Sequence, residues 1–404
     1  MPDTYDAIVV GARCAGSPTA MLLAQKGYRV LVVDRATFPS DTVSTHFIHA
    51  PGVDALRRWG ILDKIVATGC PAVDTYSFDF GPITISGTPL PAGGSSTAYA
   101  PRRTVLDTLL VDAASAAGAD VREGFTVDEI VIEDGEVRGI RGRDRDGTTM
   151  TERAHIVIGA DGANSRVARA VEPEQYNDKP ILQAGCYSYF TDLPVNGFEI
   201  TIRPDRGWAA LPTNDGLTLV VLGWPYAEYT DFRADVEGNF LETLELSPAF
   251  AERIRSATRV DRFHGSPVPN FFRKPYGPGW ALVGDAGYTK DPITAQGISN
   301  AFRDAELCAE ALDATFAGRQ SFDDAMASYQ TERDTHSMPM YEFTAQLATL
   351  EPPPPDLQQL LGGIHGNQTA MDAFVSVTAG TLSPADFFDP ANISALMAPP
   401  AMSR

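Results

Sequence analysis

Tyr5-Asp6-Ala7-Ile8-Val9-Val10-Gly11-Ala12-Arg13-Cys14-Ala15-Gly16, followed after a short alanine- and leucine-rich stretch by Arg29-Val30-Leu31-Val32-Val33-Asp34, is the part of the chain whose reading decides the fold. Ala7 to Val10 form an apolar run too short for a helix, which reads as a buried strand ending at Gly11. Thr19 to Ala24 have helical composition, Gly27 ends that helix, and Arg29 to Val33 give a second buried strand closed by Asp34. A strand that runs through a glycine-rich turn into a helix presents unpaired N–H groups and the positive end of the helix dipole to an anion. The spacing differs from GxGxxG at one place, because Arg13 stands where the second glycine lets backbone approach a pyrophosphate. The expectation is that the Arg13 guanidinium itself pairs with a diphosphate. Asp34, at the end of the second strand, stands where a ribose-binding carboxylate is expected, with Arg35 beside it.

Further along, Pro51 opens a helix over 52–59, and 104–117 reads as a longer helix ending at Gly118. Residues 125–153 read as three β segments, turned at Glu133-Asp134-Gly135-Glu136 and at Asp146-Gly147. Residues 181–224 alternate apolar and polar, which puts Tyr187 and Tyr189 on one face of a separate antiparallel sheet. Helical patterns cover 296–317 and 321–349, and Pro352 to Pro355 break the second of them. The fold class expected is α/β: a Rossmann-like domain with a parallel sheet and inserted β-meander, an antiparallel-sheet substrate domain, and C-terminal helices. The first domain is discontinuous (1–73, 101–180 and 270–320), the second takes 74–100 and 181–269, and 321–404 form the extension.

Two later motifs separate one dinucleotide from another. Ile156-Val157-Ile158-Gly159-Ala160-Asp161-Gly162 and Trp280-Ala281-Leu282-Val283-Gly284-Asp285-Ala286 each end an apolar run in Gly and Asp. With the first loop they resemble the motifs of class A flavoprotein monooxygenases and their geranylgeranyl reductase relatives, over most of residues 5–318. The resemblance implies non-covalently bound FAD, NAD(P)H as a transient hydride donor, and O₂ captured as a flavin C4a-hydroperoxide. It also implies that Asp285 bonds the ribityl chain and that Asp161 and Gly162 lie near both flavin and nicotinamide. The segment from Pro292 to Gly297 and Ile298 matches the family's proline and helix start at the flavin pyrimidine edge. Arg103, with Arg102 as its register rival, matches the arginine placed against ribityl and diphosphate, and Val127 the backbone contact to adenine.

Catalytic candidates are fewer, because a flavin carries the hard step and the protein positions, excludes water and tunes charge. His46, in the loop after the second strand, is a candidate for proton handling near neutral pH. Tyr288 is another, standing where many relatives have histidine after the Gly-Asp motif. Tyr187, Tyr189, Trp208 and Tyr226 are candidates for lining a pocket for a flat, apolar substrate. The Trp-x-Trp-x-Ile-Pro signature of the superfamily's halogenases is echoed only in part by Gly207-Trp208-Ala209-Ala210-Leu211-Pro212, which disfavours halogenation.

The expected function is therefore FAD-dependent oxygenation of an aromatic or polyketide-like small molecule. C=C reduction or dehydrogenation on the same scaffold is the alternative, and a non-catalytic flavin-fold binding protein a third reading. A formal net charge of -20 argues against nucleic acid and anionic membranes as partners. Four scattered cysteines lack metal-ligand spacing. The N-terminus has no basic region ahead of an apolar stretch, and no run approaches the roughly 20 residues of a membrane span, so a cytoplasmic monomer or homodimer is expected.

Overall fold

Parallel pairing of Tyr5–Val10 with Val30–Asp34 on one side and with Thr149–Gly159 on the other sets the centre of the first sheet. The computed structural model describes residues 4–397. Trp280–Leu282 extends this sheet in parallel beyond Thr149–Gly159, and Asp120–Glu123 extends it beyond Val30–Asp34. The inner strands carry the apolar runs 7–10, 30–33 and 156–158 because helices cover one face there and the meander the other. On one side Val9, Val32 and Ile158 pack on helices Gly16–Gln25, Arg103–Ala116 and Gly297–Phe316 through Met21, Leu110 and Phe302. On the other, Ile8, Leu31 and Val157 meet Ile130, Val137 and Ile140 of the meander.

The meander is the expected three-stranded insertion, Thr126–Glu133, Glu136–Arg143 and Thr149–Gly159. Asp134 and Gly135, at φ of 50° and 82°, make the tight left-handed turn that the right-handed strand twist prefers. Strand Thr149–Gly159 serves two pairings: residues 149–153 run antiparallel to the meander, and 154–159 run parallel to the first strand.

A second sheet of seven strands carries Gln183–Thr191, Thr218–Pro225, Arg206–Pro212 and Phe198–Arg203 at its centre. Tyr76–Asp79 and Thr84–Gly87 join its edge, the former in parallel with Phe198–Arg203. Its two faces are buried differently. Cys186, Phe190, Trp208, Val220 and Leu222 pack under helices Tyr229–Ala234, Val236–Leu244 and Pro248–Ser256, elements that the alternating pattern of 181–224 did not foreshadow. Tyr187, Tyr189, Leu211 and Leu219 face the other way, toward Phe47 and helices Pro355–Ile364 and Gln368–Ala379. A small sheet of Gln175–Lys179, Asn270–Arg273 and Tyr288–Thr289 joins the two large ones. Helices Gly297–Phe316 and Phe322–Leu347 match the expected pair, and the proline run separates them from the terminal helices.

Candidate functional site: a dinucleotide cavity at the carboxyl edge of the parallel sheet

The strands of the parallel sheet end at one edge, and there a cavity of about 1220 Å³ opens. Ligands of open α/β sheets bind at this edge, and the volume exceeds the roughly 300–1,000 Å³ usual for a single small molecule. Three strand ends supply its walls: Gly11, Arg13, Cys14 and Ala15 after the first, Asp161 and Gly162 after Thr149–Gly159, and Gly284 and Asp285 after Trp280–Leu282.

The glycines are there for close backbone approach. A Cβ on Gly11, whose φ is +104°, would lie 2.4 Å from the Ala160 carbonyl oxygen, and one on Gly16 would lie 1.8 Å from that of Gly11. Gly16 and Ala12 therefore sit behind the loop, which they shape without lining the cavity. Helix Gly16–Gln25 has neither a side-chain cap nor an acidic first turn; its Ser17 N–H is taken by the Arg13 carbonyl at 3.1 Å and Pro18 has none, so the positive helix end meets the cavity through the turn at Cys14 and Ala15. Helix Gly297–Phe316 is likewise uncapped, and Gly297 and Ile298 bring its N-terminus to the same cavity beside Pro292. The Gln296 side chain turns away to donate to the Thr378 carbonyl at 2.7 Å.

Asp34 holds the loop from the second strand: one carboxylate oxygen accepts the Ala12 N–H at 2.8 Å and the other the Ala36 N–H at 2.8 Å. It lines the cavity together with Arg35 and, at the same end, Val127. The Arg13 guanidinium lines the cavity and also has protein partners: it pairs with Asp107 at 2.5 Å and donates to the Ser40 carbonyl and hydroxyl, so a diphosphate would share it with a buried carboxylate. Asp107 also takes Arg103 through Nε at 3.0 Å and Nη2 at 2.9 Å, and accepts from the Cys14 thiol at 3.4 Å. Arg103 is the buried arginine at the cavity wall, whereas Arg102 lies over the Tyr189 ring, 4.8 Å from its centroid. Asp107 was not read from the sequence, although an Arg four residues before an Asp on one helix is a visible pair.

The two later aspartates differ. Asp161 caps helix Arg166–Val171 by accepting the Arg166 N–H at 2.6 Å, and its second oxygen is buried without a partner. Asp285 is open to the cavity yet walled by protein, and that burial raises its pKa against the opposing pull of Lys290 and Arg103. Asp291 is buried, accepts the Ile293 N–H at 2.9 Å and the Gln183 amide, and keeps one oxygen unpartnered; burial pushes it up to about 7. Lys290, which also escaped sequence reading, lines the cavity between Tyr288 and Asp291.

His46 is fully buried and does not reach the cavity. Its Nε2 shares a hydrogen bond with the Tyr189 hydroxyl, and burial, reinforced by Arg103 and Arg102, drives its pKa down to about 3, so the ring is neutral. Tyr288 lines the cavity with its ring, but its hydroxyl accepts from Ser337 on the far side, 3.0 Å away. Neither group offers a proton to the cavity at neutral pH. Of the four aromatic pocket candidates only Tyr187 lines the cavity. Tyr189 sits behind it against His46, and Trp208 belongs to the opposite face of the sheet, in the core under Phe250. Tyr226 is 41% exposed, since the sheet ends at Pro225 and the chain turns outward there.

An elongated dinucleotide fits these residues: two helix N-termini without side-chain caps, a ribose-side carboxylate at Asp34, an open carboxylate at Asp285, and an orphaned oxygen on Asp161. Comparison with known proteins agrees. The profile of the FAD binding domain family matches residues 4–344. The digeranylgeranylglycerophospholipid reductase of Methanosarcina mazei is 30% identical over 328 residues, covering 77% of this chain and 75% of that protein. Among solved structures, the myxobacterial chondrochloren halogenase CndH superposes with a TM-score of 0.80 at 21% identity, covering 98% of this chain and 96% of that one. A flavoprotein/dehydrogenase from Cytophaga hutchinsonii does so with a TM-score of 0.83 at 19% identity, covering 98% of each. The strand-end motifs, the cavity they build and the family match over 4–344 place this chain in the FAD binding domain family, as an FAD-dependent oxidoreductase.

Proposed function

We propose that the protein is a monooxygenase that uses NAD(P)H and O₂ to oxygenate a compact aromatic or polyketide-like molecule. The observation that carries this reading is the shape of the substrate end of the cavity. Beyond Pro292 and Ala295 it is bounded by Gly185, Tyr187 and Val221 of the antiparallel sheet and by Ser266 and Val268. The rest of that sheet face is filled by Tyr76, Phe198, Leu211 and the helices that carry Leu361 and Val375. Small residues against one tyrosine suit a flat ring, and among the described residues the sheet face beyond them is packed by side chains rather than open as a long apolar channel.

Bound FAD supplies two-electron reduction and the activation of O₂. The chain's own part is to hold the diphosphate at the glycine loop, to offer two helix N-termini to negative charge, and to keep bulk water from the ring end behind residues 40–45 and Tyr187. The sequence likeness to digeranylgeranylglycerophospholipid reductase supports a second reading, reduction of a C=C bond. NADPH-reduced, FAD-loaded protein with isotope-labelled O₂ separates the two. Label in the product with stoichiometric oxygen uptake supports the monooxygenase, and a saturated, unlabelled product formed equally well without air supports the reductase.

A further inference from the structure

Lys290 has no structural explanation. It leaves strand Tyr288–Thr289 directly before Asp291 and lies in the cavity wall. Among the described residues its amine has no hydrogen-bond acceptor or ion-pair partner, and it stands over the Tyr288 ring, 5.2 Å from the centroid. The charged and titratable groups that face it come from four elements: Asp285 from the short turn after Trp280–Leu282, Arg303 and Asp304 from helix Gly297–Phe316, Tyr288 from its own strand, and His49 at the start of helix Ala50–Arg58. Asp304 accepts the Gly284 N–H at 3.2 Å with one oxygen and keeps the other unpartnered, and Arg303 is turned to Asn300 and Ser337. His49 is held by Tyr76 and the Thr294 carbonyl.

Burial, with Arg303 adding to it and the two aspartates opposing, lowers the amine to about 7. An amine walled in without a partner costs stability, and a methionine would fill the same space without that cost. A destabilising charge that faces a ligand cavity is the arrangement expected of a functional group.

We propose that Lys290 is the cation that sets the charge balance at the redox-active end of bound FAD, favouring its reduced, anionic form. The inference rests on FAD occupying the cavity. With one end of the dinucleotide fixed by the Gly11 loop and Asp34, the other extends toward Pro292 and Gly297, the wall from which Lys290 arises. There the lysine, in its protonated form, adds its charge to the partial charge of the uncapped helix N-terminus.

The test uses Lys290→Met and Lys290→Arg in the full chain, with sulfite as an anionic probe of the flavin and a reference dye for its potential. Wild-type protein is first loaded with FAD and its visible spectrum recorded; a wild type that takes up no FAD overturns the flavin reading itself and this inference with it. The expected result is that FAD-free K290M melts at or above the wild-type temperature. Once loaded, it binds sulfite at least tenfold more weakly, with a midpoint potential lower by about 30 mV, the equivalent of tenfold for a two-electron couple. K290R recovers most of both. A loaded K290M whose sulfite affinity and potential stay within twofold and a few millivolts of wild type overturns the inference alone. So does a FAD-free K290M that melts well below wild type, because the lysine is then structural.

Discussion

Removing the carboxylate of Asp107 tests the electrostatic logic of the site. Asp107 is fully buried and pairs with two arginines, Arg103 through three hydrogen bonds of 2.9–3.0 Å and Arg13 through one of 2.5 Å. Asp107→Ala leaves Arg103, 7% exposed, as an uncompensated buried cation. Breaking a buried pair from one side costs about 3–5 kcal/mol. A chain of 404 residues has an unfolding entropy of about 0.85 kcal/mol/K, so the melting temperature should fall by about 4–6 °C. Differential scanning calorimetry of FAD-free protein measures this directly. The double variant Arg103→Met/Asp107→Leu removes the fully buried pair and should lie nearer wild type than Asp107→Ala does, because only the partly exposed Arg13 is then left without its carboxylate. An Asp107→Ala protein that melts within 1 °C of wild type, or a double variant less stable than the single one by the full cost of a second loss, would refute the claim that Asp107 is the compensating carboxylate of Arg103.

Other perturbations reach separate parts of the account. Asp285→Ala should weaken FAD binding about tenfold or more, through loss of charge-assisted bonds of about 1.5–3 kcal/mol, as read by flavin fluorescence titration; unchanged retention removes that carboxylate from the cofactor site. His49 bonds Tyr76 at 2.9 Å and the Thr294 carbonyl at 3.0 Å, and burial holds its pKa down to about 4. His49→Phe should therefore cost about 2–5 kcal/mol at pH 7. Because the folded pKa lies below the unfolded value of about 6.5, wild type loses this contribution as pH falls from about 6.5 through about 4, and the gap to the variant should narrow over that window. A Cβ on Gly185 meets only Leu222 oxygen and Pro292 Cγ, each at 4.0 Å, so Gly185→Leu fits the strand and extends into the substrate end. Substrate-dependent NAD(P)H oxidation should drop at least about tenfold with FAD content unchanged, and undiminished turnover would place the substrate elsewhere.

Much of this site was legible because it depends on strand ends. Gly11, Asp34, Gly159-Ala160-Asp161 and Gly284-Asp285 each follow an apolar run, and strands of a parallel sheet finish at one edge, so readings made far apart in the chain converge in space. Side-chain destinations were less legible. The missing glycine at Arg13 suggested a cation for phosphate, but gave no sign of the carboxylate, from a helix nearly a hundred residues on, that also pairs with it. Period-two alternation puts Tyr187 and Tyr189 on one face, as observed. Alternation within one strand says nothing of which face a residue on the next strand takes, and register sends Trp208 to the far side. Lys290 and Asp291 gave no periodic signal at all, since their importance comes from the cavity they face and, for Asp291, from one buried oxygen without a partner.

The central proposal is oxygen transfer to a compact substrate, and its most direct measurement is the fate of isotope-labelled O₂ in a single turnover. FAD-loaded protein, reduced anaerobically with NADPH, is mixed with labelled O₂ and a panel of phenolic and polyketide-like compounds, and the products are weighed by mass spectrometry. The account predicts a product one labelled oxygen heavier, formed only in the presence of O₂. A product two hydrogens heavier, unlabelled and formed equally under nitrogen, would contradict it.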